Sequence, residues 1–163
     1  MRRPALRTRP GGSERYRRRG VVAATLALAA AGTCCAPGAS ADSGDLLSSA
    51  VIAARPASCP PLKANPLVRE AAAGINRSND LWLDYAARAE PETDPMPRLK
   101  DLGYQGSKAV IIHGAAKNEA DSIKALLLQG YAAIPDCTYT DFGVDVSQSN
   151  SDGWILTALV LAG

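Results

Sequence analysis

Apolar residues recur along this chain with two different rhythms, one of three to four residues and one of two. Residues 45–55 (DLLSSAVIAAR) are apolar at helical spacing behind the acids Asp42 and Asp45. They predict a short helix that Pro56 stops. Pro60-Pro61 fix an extended turn. Asn65-Pro66 reads as an N-cap followed by proline at the first helical position. Behind it Leu67, Ala71, Ile75, Ser78, Trp82 and Tyr85 mark one amphipathic helix, with Gly74 or Ser78-Asn79 as places for a break. Residues 90–97 (EPETDPMP) predict a loop, and residues 98–102 one helical turn closed by Gly103.

The rhythm then changes. Residues 108–114 (KAVIIHG) predict a short buried strand. Asn118 is placed to cap a helix whose apolar stripe is Ala120, Ile123, Leu126 and Leu127, with Gly130 at its end. Residues 139–147 alternate, with Phe142, Val144 and Val146 on one side. Turn residues fill positions 149–153, and residues 154–161 (WILTALVL) form an apolar, β-rich run. The last two strands read as an antiparallel hairpin. Helices mixed with a terminal hairpin predict an α+β fold rather than a parallel sheet.

The first 41 residues follow neither rhythm. Eight arginines lie before residue 20, and residues 21–32 (VVAATLALAAAG) carry no charge. A basic segment, a short apolar run and the small residues Ala39-Ser40-Ala41 have the order of a secretory signal peptide cut between Ala41 and Asp42. The apolar run is shorter than the roughly 20 residues needed to cross a bilayer. Arg18-Arg19 fits either the twin-arginine or the general export route. A lipid anchor on Cys34 is the lesser alternative, because Ala31-Gly32-Thr33 lacks the aliphatic residue such a site requires. The expected location is outside the cell or at the cell wall.

Composition changes meaning once that leader is set aside. The whole chain of 163 residues has a formal charge of +2, whereas residues 42–163 carry ten basic and fifteen acidic side chains, a formal charge of −5. This removes the argument for binding nucleic acid, which needs a clustered basic face, so no nucleic-acid partner is expected. Residues 42–163 are expected to form one domain without a membrane span. Cys59 and Cys137 remain as an even pair in an oxidising compartment and read as a disulfide. Two distant cysteines and one histidine are too few ligands for a closed zinc centre.

Candidate chemistry is sparse. His113 is the single histidine, and no G-x-S-x-G, HExxH or phosphate-loop motif accompanies it. Glu90, Glu92 and Asp94 sit in the proline-rich loop and read as a solvated surface. Asn76-Arg77-Ser78 matches a glycosylation acceptor but falls inside a helical pattern. Trp82, Tyr85 and Trp154 are expected in the core. Tyr104, Tyr131 and Tyr139 are expected at a rim, and His113 with Tyr131 is the candidate ligand-binding pair. Nothing calls for a cofactor or a metal.

Four stretches resemble a bacterial secreted domain of the CAP superfamily, which groups cysteine-rich secretory proteins, antigen 5 and plant pathogenesis-related proteins. They are residues 46–62 (LLSSAVIAARPASCPPL), residues 65–73 (NPLVREAAA), Leu102-Gly103-Tyr104 with residues 110–114, and residues 129–144 (QGYAAIPDCTYTDFGV) continuing to Leu161. The resemblance implies an α-β-α sandwich with helices on both sides of a small antiparallel sheet. It also implies a cavity of two histidines and two acids able to bind a divalent metal. Here the first histidine position falls at residues 74–76, the second at 129–131, and a Glu-Asn pair of the resembled family near Ala109-Val110, and all lack the expected residue. Two functions are therefore expected as alternatives. One is a secreted, non-catalytic CAP-like binding domain for a lipid, another apolar molecule or an envelope protein. The other is a secreted hydrolase using His113 with a nearby acid, Glu119 or Asp121.

Overall fold

A computed structural model describes residues 42–163 apart from 87, 89 and 150–152. The expected leader, with its arginines, Cys34 and Ala41, lies outside the described residues. Within them the order is α1 (Ser43–Ala54), β1 (Lys63–Ala64), α2 (Pro66–Leu83), α3 (Met96–Asp101), β2 (Ala109–Ala116), α4 (Glu119–Gln129), β3 (Asp141–Gln148) and β4 (Ile155–Ala162).

Local chemistry sets the helix ends. The Asn65 side chain accepts from the Leu67 amide at 3.0 Å with Pro66 in the first turn, and α2 runs unbroken through Gly74 and Ser78-Asn79. Asn118 caps α4 in the same way, accepting from the Asp121 amide at 2.9 Å. Gly103 follows α3 with φ +88. Its amide donates to Lys100 and the Tyr104 amide to Leu99, a Schellman closure that needs the left-handed residue.

The four strands form one sheet in the order β1-β3-β4-β2. β3 and β4 are the expected antiparallel hairpin, and β2 pairs antiparallel with the far side of β4. The fold is thus α+β, but the sheet is mixed: two residues, Lys63 and Ala64, add β1 parallel to β3. A pair of residues carries no periodicity, so this strand has no signature in the sequence.

Helices cover both faces of the sheet. On one face Ile112, Phe142, Val144, Leu159 and Leu161 pack with Leu47 and Val51 of α1 and Leu126 of α4. On the other, Ala158, Val160 and Ala162 pack with Val68, Ala71, Ala72 and Ile75 of α2, Leu99 of α3 and Tyr104. β4 reads as a continuous apolar run because it is central and buried from both sides. Cys59 and Cys137 lie at disulfide-bonding distance, with Cα atoms 5.0 Å apart. Beside them Arg55 donates to the carbonyls of Pro60, Ile134, Asp136 and Tyr139, tying the end of α1 to the loop before β3.

The aromatic residues expected in the core are not there. Trp82 is 41% exposed, Tyr85 96% and Trp154 38%, the last with the Lys117 ammonium over its ring. The buried stripe of α2 runs from Val68 to Asn76. Trp82 and Tyr85 lie beyond it. Helical spacing was legible there, but not the point at which the helix outruns the sheet beneath it.

Candidate functional site

α2 packs against β3 and β4, while the edge strand β2 is covered by α4. The last turns of α2 on one face and the end of α4 on the other both reach the outer edge of β2, and a gap lies along that edge. The gap is a cavity of about 440 Å³, within the ~300–1,000 Å³ range of small-molecule sites. Its apolar wall is Trp82, Leu83, Pro91, Ala115, Ala125 and Leu156, and its polar groups come from Asn76, Asn79, His113, Gln129 and Thr157.

Two glycines bring the walls in. A Cβ on Gly114 would collide with the Ser122 carbonyl and Thr157 Oγ1, so this glycine lets α4 sit directly on β2. Thr157 Oγ1 donates to Gly114 O at 3.1 Å and lies 3.0 Å from Ser122 Oγ, satisfying the buried hydroxyls at that crossing. On the opposite face a Cβ on Gly143 would meet the backbone of Val68 and Arg69, which fixes α2 against β3.

Asn76 anchors the deep end. It is 1% exposed, and its Nδ2 lies 2.8 Å from Asp145 Oδ2, 3.0 Å from Ser147 Oγ and 3.1 Å from the Leu156 carbonyl. The acceptor asparagine of the glycosylation triplet is thus buried inside the fold. One helical turn further on, Asn79 Nδ2 donates to His113 Nδ1 at 3.1 Å. An amide donor on Nδ1 selects the neutral ring with its proton on Nε2. Burial acts in the same direction, holding the His113 pKa below the ordinary 6.5. Gln129 Oε1 accepts from the His113 backbone amide and so fastens the end of α4 to β2.

Asn76 and Gln129 fall in the stretches where the resemblance places the two family histidines, and both line the cavity. The donor set there is one imidazole with Nδ1 engaged, three carboxamides and a hydroxyl, without a carboxylate. A divalent ion needs carboxylates or several imidazoles, so these residues do not fit the metal of the resembled family. No group of three or more His, Cys, Asp or Glu side chains is placed to hold a metal among the described residues.

The remaining candidates lie elsewhere. Tyr131 is 78% exposed and is not among the lining residues. Tyr104 is buried, donates to Asp141 Oδ2 at 2.8 Å, and has its pKa pushed up to about 12 by burial and that bond. Tyr139 packs beside the α1–α4 core under the Lys108 ammonium. The carboxylates considered for a hydrolase do not meet His113: Asp121 bonds the Asn118 side chain, and Glu119 Oε1 is buried without a hydrogen-bond partner. Glu92 is held by Arg98, which keeps the loop carrying Pro91 against α3. Sequence reasoning named His113 and the Gln129 position but missed Asn79, whose only signal was its place one turn after Asn76.

The backbone has a counterpart among solved structures. An outer surface protein from Borrelia burgdorferi matches with a TM-score of 0.59 at 12% identity, over 74% of this chain and 91% of its own. The chain has the fold of that bacterial surface protein. An extracellular protein containing an SCP domain from Bacillus anthracis matches with a TM-score of 0.39 at 17% identity, over 63% of this chain and 34% of its own. No protein-family model and no curated protein sequence matches the chain. No helix among the described residues is long and apolar enough to cross a membrane.

Proposed function

We propose that residues 42–163 are a secreted, non-catalytic CAP-like binding domain, freed by cleavage between Ala41 and Asp42, that takes an apolar molecule into the cavity beside β2. The three layers are read as the CAP sandwich with its central cavity kept and its metal chemistry replaced by carboxamides. The observation that carries this reading is the cavity itself, walled by Trp82, Leu83, Pro91 and Leu156 and open at the end of α2. The signal-like leader, the pairing of Cys59 with Cys137 and the fold shared with an outer surface protein support a place outside the cell.

The test is native mass spectrometry of the protein exported by a bacterial host. The expected mass is that of a chain starting at Asp42, two hydrogens lighter for the bridge, with a dissociable apolar adduct that is lost in Trp82→Glu. A bare mass, together with no response of Trp82 fluorescence to any chain-bearing amphiphile, overturns the ligand reading and leaves a protein-interaction module.

A further inference from the structure

The sheet has two edges, and they are protected unequally. β1 closes one of them with two residues. β2 leaves the other open over residues 109–116 (AVIIHGAA), which include no proline and no Asp, Glu, Lys or Arg and pair with β4 at every position without a bulge. The usual devices that blunt a sheet edge are therefore missing along β2. Its phase is fixed at one end, where Lys108 and Gly163 exchange both backbone hydrogen bonds. Bonding residues alternate in an antiparallel ladder, so Val110, Ile112 and Gly114 face β4, whereas Ala109, Ile111, His113 and Ala115 turn their N–H and C=O groups outward. The His113 amide agrees, since it donates to Gln129 Oε1 on the outer side. That acceptor stands where the carbonyl of a further strand would. The outward amides of Ile111 and Ala115 have no partner among the described residues. The cavity lies along this same edge, with Trp82, Leu83 and Pro91 on the α2 side and Ala125 on the α4 side.

We infer that β2 accepts an extended segment of a partner protein, apolar at alternate positions, as a fifth strand of the sheet. This rests on the reading of the cavity as a ligand site and names the class of its ligand. The spacing of the open groups identifies the occupant: they recur at every second residue, about 7 Å apart, a repeat that an extended backbone matches. An alkyl chain can use the same walls but leaves the backbone groups to water. Side chains of the added strand point alternately to the two faces of the sheet, so every second one meets Trp82, Leu83 and Pro91. One of its carbonyls replaces Gln129 on the His113 amide. A lone strand fits better than a second copy of this chain, because the walls that overhang the edge stand where the helices covering a second β2 would have to go.

The probe is a blocked seven-residue peptide of alternating threonine and leucine, compared with two forms N-methylated on every leucine or on every threonine. Binding is read by Trp82 fluorescence in a Trp154→Phe background. One set of peptide amides faces β2 and the other faces water. One methylated form is therefore expected to bind roughly tenfold more weakly or worse, and the other like the parent. Two methylated forms that bind alike, or decanol binding where the parent peptide does not, overturn this inference alone and leave the cavity reading standing. Binding of neither the peptide nor decanol overturns both. Sedimentation of the protein as a dimer that the peptide leaves intact would assign the edge to a second copy and overturn the inference as well.

Discussion

On the α1 and α4 side of the sheet, Ile112, Phe142, Val144, Leu159 and Leu161 meet Leu47, Val51 and Leu126, and large side chains fill the distance between sheet and helices. On the α2 side the same strands present Gly143, Ala158, Val160 and Ala162, and the helix answers with Ala71 and Ala72. Small residues let α2 lie almost on the backbone of β3 and β4. A straight helix held that closely to a twisted sheet departs from it at the edge. By Asn79 and Leu83 it stands over β2 with the cavity beneath. One face is thus closed by volume, whereas the other is pinned at one end and open at the other. Close packing and an open cavity arise from the same choice of small residues.

The largest expected effect is on the closed side. The Cys59–Cys137 pair spans 78 residues and ties the segment after α1 to the segment after α4. Reduction is expected to remove about 4 kcal/mol of unfolding free energy, measured by denaturant titration with and without reductant. Two thiols titrating in the native, unreduced protein would contradict it. Next comes Leu159→Ala, which empties a fully buried site against Leu47 and Leu126 and should cost about 3 kcal/mol. Trp82→Ala, at the mouth of the cavity, should change stability by about 0.5 kcal/mol or less while weakening ligand binding. Equal stability costs for these two would erase the distinction between the faces.

Gly143→Ala addresses the pinned end. Its methyl group would press on the backbone of Val68 and Arg69 and should cost about 2 kcal/mol. Because it pushes α2 outward, it should also alter the cavity at the far end of the same helix. The smallest effect concerns pH. The His113 pKa is depressed by burial, so below 6.5 the unfolded chain takes up the proton first. This contribution to stability is complete above 6.5 and is lost as pH falls through the folded pKa. His113→Gln should remove that part of the acid limb of a melting-temperature profile, and an unchanged limb would place its origin elsewhere.

The element order was legible because its signals are local. Asn65-Pro66, Asn118 and Gly103 each act within one turn, and the alternation of Phe142, Val144 and Val146 needs only one buried face. β1 was not legible, since its pairing with β3 is a long-range event between two-residue partners. The aromatic residues misled for a related reason: Trp82 has a core residue's size and helical phase, but what lies opposite it is decided by where the sheet ends. The site was half legible. His113 stood out by its rarity, and Gln129 lies in the stretch where the resemblance expects a histidine. Asn79 and the significance of Gly114 and Gly143 emerge only when α2, α4 and β2 are brought together.

The central claim is that the open end of the α2 face, and not the closed face, receives the ligand. It is tested most directly by amide and side-chain NMR shifts on titration with decanol. Saturable shifts concentrated at Asn79, Trp82, His113, Ala115 and Gln129, with Leu47, Val51 and Leu159 unmoved, are the predicted result. Shifts centred on α1 and Leu159, or none that saturate, would contradict it.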